Sequence, residues 1–299
     1  MNFRRHLLPC LILAALTTGC AESGAESGAE SGGESGAESA MARPTILFID
    51  AAGDVSRMMR LDPSASEAEV VRSTLLQSAR GLTLDRSEGI VYWASREGDR
   101  IQFGRWNDAS MSELPVAGLD SAYAVEYLAD DNTLYWSDYG TNAIHRLDLG
   151  GGEVEAVVDN LDAPRQIAID TDERRVYWVD RGSGRVESEA LDGPAGRRTH
   201  ATGLDAPYGI VLLPREDVAL VADAELGVIY RIELATGELS TWLEEAGTHP
   251  SFLAVDSAAD MLYWGDNRDN VIRRRPLGGG GVETVLEGLE GPRGLMLVR

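Results

Sequence analysis

Arg80, Tyr123, Arg165, Tyr208, Ser251 and Arg293 stand 43, 42, 43, 43 and 42 residues apart. Three guanidiniums and two phenols at one recurring position suit the capture of anions. A guanidinium fork matches a carboxylate bidentately, and Arg and Tyr are favoured anchors at binding surfaces. A second set recurs nearby: Arg96, Tyr139, Arg181, Glu225 and the pair Asn267-Arg268. Other chemistries find less support. The four histidines are residues 6, 145, 200 and 249, and no two have metal-ligand spacing. There is no Gly-x-Ser-x-Gly elbow and no phosphate loop, and both cysteines precede residue 21. Glu126 is the one charged residue inside an apolar inner strand of the kind that recurs along the chain, Ala124-Val125-Glu126-Tyr127. It is a potential ligand for a divalent cation, or equally a partner for a neighbouring Arg. No cofactor is expected.

The recurrence extends beyond these positions. Apolar-aromatic-x-Asp segments occur at Leu47-Phe48-Ile49-Asp50, Tyr92-Trp93-Ala94-Ser95, Tyr135-Trp136-Ser137-Asp138, Tyr177-Trp178-Val179-Asp180, Leu220-Val221-Ala222-Asp223 and Tyr263-Trp264-Gly265-Asp266. Their last residues step by 45, 43, 42, 43 and 43. Two markers in phase over the whole of residues 41–299 define a repeat of about 43 residues.

Each unit reads as four short strands. An apolar strand follows Pro-x-Gly or a relative of it, and a turn rich in Asp, Glu and Gly leads to the aromatic strand. A third strand (Ile144-His145-Arg146-Leu147) and a more polar fourth (Glu155-Ala156-Val157-Val158) complete the unit. Six four-stranded antiparallel units predict an all-β fold, a six-bladed β-propeller. The first unit starts with its aromatic strand, and the chain ends on an apolar strand, Gly294 to Val298. Blade one is therefore expected to take its innermost strand from the C-terminus, leaving no open sheet edge between the ends of the ring. The Trp and Tyr residues recur once per blade and are expected to pack between sheets. Three of the Asp residues have an Arg eight places on: Asp138–Arg146, Asp223–Arg231 and Asp266–Arg274. That spacing predicts ion pairs between aromatic and third strands, although Asp180 has Ser188 at that distance.

The Tyr-Trp-x-Asp segments, the later Ile-x-Arg (Ile144-His145-Arg146, Ile229-Tyr230-Arg231, Ile272-Arg273-Arg274) and the Leu and Gly that follow resemble the YWTD, or class B, repeats of low-density lipoprotein receptor-type proteins. The resemblance spans residues 45–299. It departs at Ser95, which replaces the Asp, and in blades one and five, which lack the Tyr-Trp pair. It implies the fold and a binding role. In such a propeller, ligands are expected where the inner strands begin, around the channel mouth. Arg80, Tyr123, Arg165, Tyr208, Arg293, Tyr139 and Arg181 are therefore the candidate ligand-binding residues, for a protein, peptide or glycan partner that is acidic. The competing expectations are that these Arg residues only neutralise nearby acids, or that the chain is a propeller hydrolase or lactonase with a divalent metal held through Glu126.

Composition narrows the partners. The chain of 299 residues has 27 basic residues, all Arg, against 49 acidic ones, for a net charge of −22. Such a surface repels phosphate backbones, so nucleic acid is not expected. Residues 1–20 form a leader: Arg4 and Arg5, an apolar run from Leu7 to Leu16, then Thr17-Thr18-Gly19-Cys20. The end resembles the lipobox of bacterial lipoproteins, with Cys20 as the lipidated residue and Thr17 where Leu is usual. A signal peptide cut near Gly19, or an uncleaved anchor, is the alternative. Residues 21–40, built from Ala, Glu, Ser and Gly, read as a disordered linker with an r.m.s. reach of roughly 25 Å. Together these predict an exported monomer, lipid-anchored in a bacterial cell envelope. The outer membrane is favoured because Ala21 rather than Asp follows the Cys.

Overall fold

The computed structural model describes residues 43–298, apart from 53–54, 63, 73–77, 97–98, 107–110 and 194–195. The leader, the linker and Cys20 lie outside the described residues. Among these, the chain forms six four-stranded antiparallel sheets and no α-helix. Blade 1 holds β1 (Thr45–Ala52), β2 (Val55–Leu61) and β3 (Glu69–Arg72). Blade 2 holds β4 (Ala79–Asp85), β5 (Ile90–Ser95), β6 (Arg100–Arg105) and β7 (Ser112–Glu113). Blade 3 holds β8 (Ala122–Leu128), β9 (Thr133–Asp138), β10 (Ala143–Asp148) and β11 (Glu155–Val158). Blade 4 holds β12 (Pro164–Asp170), β13 (Arg175–Asp180), β14 (Arg185–Ala190) and β15 (Arg198–Thr202). Blade 5 holds β16 (Pro207–Leu213), β17 (Val218–Asp223), β18 (Val228–Glu233) and β19 (Glu238–Glu244). Blade 6 holds β20 (Pro250–Asp256), β21 (Met261–Asp266), β22 (Val271–Pro276) and β23 (Glu283–Leu286).

The last strand, β24 (Pro292–Val298), pairs antiparallel with β1 from Thr45↔Val298 to Asp50↔Pro292. The two ends of the domain thus share blade 1, as the repeat phase requires. Among the described residues, every strand lies within 45–298.

Strand alternation explains the Tyr-Trp pair. Successive side chains point to opposite sheet faces, so the pair serves two interfaces at once. Trp93 packs into the cluster with Leu47, Ile49 and Met58 of blade 1, while Tyr92 joins Val125 and Trp136 of blade 3. Tyr135 meets Trp178, Tyr177 faces blade 5, and Trp264 and Tyr263 turn to blades 5 and 1. All four Trp residues of these pairs are buried. Blades 1 and 5 keep the arrangement with Leu47-Phe48 and Leu220-Val221. Truncating one such aromatic to Ala costs about 3–5 kcal/mol.

The predicted Asp–Arg pairs do not form. Asp138 lies opposite Ala143 at the turn end of its hairpin, whereas Arg146 lies opposite Tyr135, three pairs away. Arg146 pairs instead with Glu155 at 2.7 Å, Arg274 with Glu283 at 2.6 Å, and Arg231 with Glu216 and Glu233, both at 3.0 Å. The buried Asp residues bind backbone. Asp138 Oδ1 accepts from the N–H of Gly140 and Thr141, each at 3.0 Å, and Oδ2 from that of Asp120 at 2.9 Å. Asp180 reaches Asp162 N at 2.7 Å, Asp223 reaches Asp205 N at 2.8 Å, and Asp50 reaches Glu290 N at 2.8 Å. Each of these Asp residues staples the end of its aromatic strand to the loop entering its blade's inner strand.

Candidate functional site

The loops joined by the Asp staples are those that carry the candidate residues. The staple is doubled by a backbone bond repeated in all six blades. Arg96, Tyr139, Arg181, Ala224, Asn267 and Ala51 each donate N–H to the carbonyl of the facing entry loop, at 3.0–3.2 Å. Blade 2 keeps this bond even though Ser95 replaces the Asp. The inner strands start earlier than the sequence pattern suggests, so Arg80, Tyr123, Arg165, Tyr208, Ser251 and Arg293 are each the second residue of their strand. Four of these strands begin on Pro, which needs no ladder donor at a strand start. The pairing register slips immediately afterwards in every blade, for example between Ala122 and Ala124 and between Pro207 and Gly209. A bulge re-aims the side chain it carries. Six bulges at one level present one ring of side chains at the channel mouth. Glu126 is accordingly not the one charged residue within an inner strand, because the strands themselves include the mouth arginines.

The ring closes over a cavity of about 350 Å³ lined by Arg80, Arg96, Tyr123, Arg165, Tyr208 and Arg293. Arg165 is its centre and is only 7% exposed. Its guanidinium carbon lies 4.6 Å from the Tyr123 ring centroid, 4.5 Å from that of Tyr139 and 5.4 Å from that of Tyr208. Such contacts contribute about 0.5–2 kcal/mol each and hold the cation by its faces. Arg181 also sits over Tyr208, at 5.3 Å, and Arg96 over Tyr139, at 5.6 Å. All seven candidate residues therefore converge on one cluster. Ser251 does not contribute: it is buried and bonds to the Gly265 carbonyl and to Asn267.

The electrostatics of the cup are unbalanced. Among the described residues, Arg80, Arg96, Arg165 and Arg293 have no carboxylate within ion-pair distance, and the buried Nε of both Arg80 and Arg165 lacks a hydrogen-bond partner. The one carboxylate on the cavity wall, Glu290, is engaged by Arg57 at 2.5 Å. Arg181 is 4.0 Å from Glu225. Burial lowers the Arg80 pKa, and the adjacent Arg96 and Arg165 charges add to the lowering. Burial raises that of Tyr123, against the opposing pull of Arg165 and Arg80. Neutralisation of local acids does not account for four such cations in a chain of net charge −22. Their charge faces the cavity.

Several lining residues carried no repeat signal. Phe252 stacks on Tyr123 with centroids 5.6 Å apart and planes 10° apart, and its own backbone has φ +28°. His249 meets Tyr208 edge-on at 5.6 Å and lies 3.9 Å from Glu225. Below them Gln166 closes the channel. Its Nε2 donates to the Leu253 carbonyl at 3.0 Å, and its Oε1 accepts from Leu253 N at 3.0 Å and Ile210 N at 3.3 Å. Blade 4 is thereby tied to blades 5 and 6 across the axis. Phe252 and Gln166 interrupt a tier otherwise made of Gly81, Ala124, Gly209 and Gly294, and that break was visible in the aligned repeats.

Glu126 lies deeper, beyond this plug. Among the described residues no group of three His, Cys, Asp or Glu side chains is placed to hold a metal ion. The Thr83 hydroxyl lies beside Glu126 as a hydrogen-bond partner.

No protein-family model matches the chain. It is 26% identical over 208 residues to protein cueball of Drosophila grimshawi, spanning 65% of this chain and 34% of that protein. It is 28% identical over 141 residues to the human low-density lipoprotein receptor-related protein 5-like protein, spanning 46% of this chain and 56% of that one. The chain thus spans between about a third and just over half of these curated relatives. Among solved structures it is similar to a chain of a nidogen/laminin complex, with a TM-score of 0.73 and 18% identity, covering 85% of this chain and 98% of the other. A streptogramin B lyase aligns with a TM-score of 0.60 and 15% identity over 73% of this chain and 72% of the lyase. The structural likenesses show the fold. Together with the sequence relatives, they make the chain similar to YWTD β-propeller proteins.

Proposed function

We propose that this YWTD-type propeller is a non-catalytic binding module whose channel mouth takes an acidic segment of a protein partner. The observation that carries the reading is Arg165, nine-tenths buried in a cage of three tyrosines, with its Nε unpartnered and no acid at hand. A guanidinium desolvated in this way gains most from a carboxylate that approaches along the cavity axis. Arg80, Arg96 and Arg293 add charge around it, while Tyr139, Tyr208 and Arg181 form the rim. A cup of about 350 Å³ suits one or two side chains of a peptide rather than a whole glycan chain. The relatives support a protein partner: the similar nidogen chain comes from a complex with laminin.

The module is further proposed to be exported and held at a bacterial envelope by a lipid on Cys20, with residues 21–40 as spacer. The support is the leader sequence. Mass spectrometry of the mature N-terminus tests this, since a diacylglyceryl-modified Cys20 is expected and an unmodified Ala21 or Met1 start contradicts it. The binding reading is tested by titrating an Asp- and Glu-rich peptide into the protein and into the Arg165→Ala, Tyr208→Ala, Arg293→Ala triple variant. Capture that survives the triple change removes the mouth as the site.

A further inference from the structure

The plug leaves a second chamber on the opposite side of the ring. It has a volume of about 580 Å³, within the range of small-molecule pockets. Its wall is the fifth residue of each inner strand: Thr83, Glu126, Ala168, Val211, Ala254 and Met296. It opens beside Arg86, Ser257 and Ala258, where inner strands give way to turns. Phe252 and Gln166 form its floor and separate it from the mouth. Of the six wall residues, Ala168, Val211, Ala254 and Met296 are apolar, while Arg86, Tyr127, Gln166, Asp256 and Ser257 add polar groups to the lining.

Glu126 has no counter-charge. It takes part in no ion pair among the described residues. The other ionisable groups on the lining are committed elsewhere. Arg86 donates to the Leu297 carbonyl at 2.9 Å, Asp256 accepts from the N–H of Ala258 and Ala259, and the Tyr127 hydroxyl meets Asn132. The strands packed around Glu126 thus face it with one hydroxyl and no cation. A carboxylate in apolar surroundings is costly unless a cation joins it. One carboxylate and one hydroxyl fall well short of the six or more oxygens that calcium takes, or of the nitrogen and sulfur donors of zinc.

We propose that this chamber binds a small molecule with an apolar body and a single primary or secondary ammonium group, with Glu126 as its counter-ion. Ala168, Val211, Ala254 and Met296 take the body, and the ammonium donates to the Glu126 carboxylate. The net charge of −22 raises the local concentration of such cations. Burial pushes the Glu126 pKa up to about 8, with the Thr83 hydroxyl partly opposing the shift. A pKa raised in this way favours the protonated carboxyl while no cation lies beside it. Arrival of an ammonium ion ionises it, and the carboxyl proton leaves to solvent.

The test uses residues 41–299 and four probes: benzylamine, hexylamine and their neutral counterparts benzyl alcohol and hexanol, by calorimetry from pH 6 to 9. The amines are expected to bind more tightly than the alcohols by about tenfold or more, tightening by up to about tenfold per pH unit until Glu126 is ionised. Comparison of buffers should show nearly one proton released per amine at pH 7. Glu126→Gln is expected to abolish both the amine preference and its pH dependence. Met296→Trp, which fills the chamber and keeps Glu126, should block the amines as well. Circular dichroism checks that both variants fold. Equal binding of amines and alcohols, no binding of either, unaltered amine binding by Glu126→Gln, or occupation by calcium or magnesium instead would each overturn the proposal.

Discussion

Replacing Asp138 by Ala should damage this protein far more than replacing Arg146, the residue that sequence spacing assigns as its partner. Asp138 is fully buried and accepts three backbone N–H bonds of 2.9–3.0 Å. Hydrogen bonds to a charged acceptor contribute about 1.5–3 kcal/mol each, and removal leaves the donors without it. Allowing for non-additivity and for water reaching the half-exposed donors, Asp138→Ala should cost about 3–5 kcal/mol. For a domain of this size that corresponds to a fall in Tm of about 8–15 °C. Asp138→Asn keeps Oδ1 for Gly140 and Thr141 but turns an amide towards Asp120 N–H, so about 1.5–3 kcal/mol should be lost. Arg146 forms an exposed pair with Glu155, and Arg146→Ala should cost below about 1 kcal/mol. Urea denaturation of wild type, both single variants and the double variant measures each value and the coupling. The two changes should add within about 0.5 kcal/mol. A coupling above about 1 kcal/mol would restore the ion pair and refute the staple. So would an Asp138→Ala cost below about 1 kcal/mol.

Three more outcomes follow from single contacts. Gly294→Ala should destabilise the ring by more than about 2 kcal/mol, read by urea denaturation, because its φ is +46° and a Cβ there overlaps the Arg80 carbonyl oxygen. Gln166→Ala leaves Ile210 N and Leu253 N without their side-chain acceptor and should lower stability by about 2–4 kcal/mol. Glu126 is protonated more readily folded than unfolded, since its pKa is raised from about 4.5 to about 8. Its stabilising contribution is full below about pH 4.5 and is lost as pH rises through about 8. Thermal melts from pH 4 to 9 should therefore show Glu126→Gln close to wild type at pH 4 and more stable by about 2–3 kcal/mol at pH 8. Parallel stability curves for the two proteins would argue against a carboxyl kept neutral by burial.

The ring was legible because its information is redundant. Two markers recur in every copy, so the strand count, the closure by β24 and the fourth strand at Glu155–Val158 follow from phase alone. The Tyr-Trp pair was legible as core because strand alternation leaves both residues an interface to fill. The Asp–Arg assignment failed because eight residues of separation looks like proximity, while the hairpin register puts Asp138 at the turn and Arg146 three pairs from it. Inner-strand starts were set too late because Pro164, Pro207, Pro250 and Pro292 read as turn residues, although each opens a strand. That displacement also made Glu126 appear to be the one charge on an inner strand. The mouth residues were found as positions, but not as a cage, since bulges after each strand start determine where they point. Gln166 and Phe252 occur once each in a tier of small residues, so they showed only as a break in the repeat, which does not say what they contact.

The central claim is that the mouth recognises negative charge through Arg165. The most direct measurement is fluorescence anisotropy of two labelled peptides, one rich in Asp and Glu and one with Asn and Gln in their place, against wild type and Arg165→Met. Met retains much of the apolar stem that lies among the tyrosines and removes the fork. Wild type is expected to prefer the acidic peptide by about tenfold or more, and the preference should collapse with the substitution while the melting temperature stays within a few degrees. Equal binding of both peptides to wild type, or an acidic preference that persists in Arg165→Met, would contradict the account.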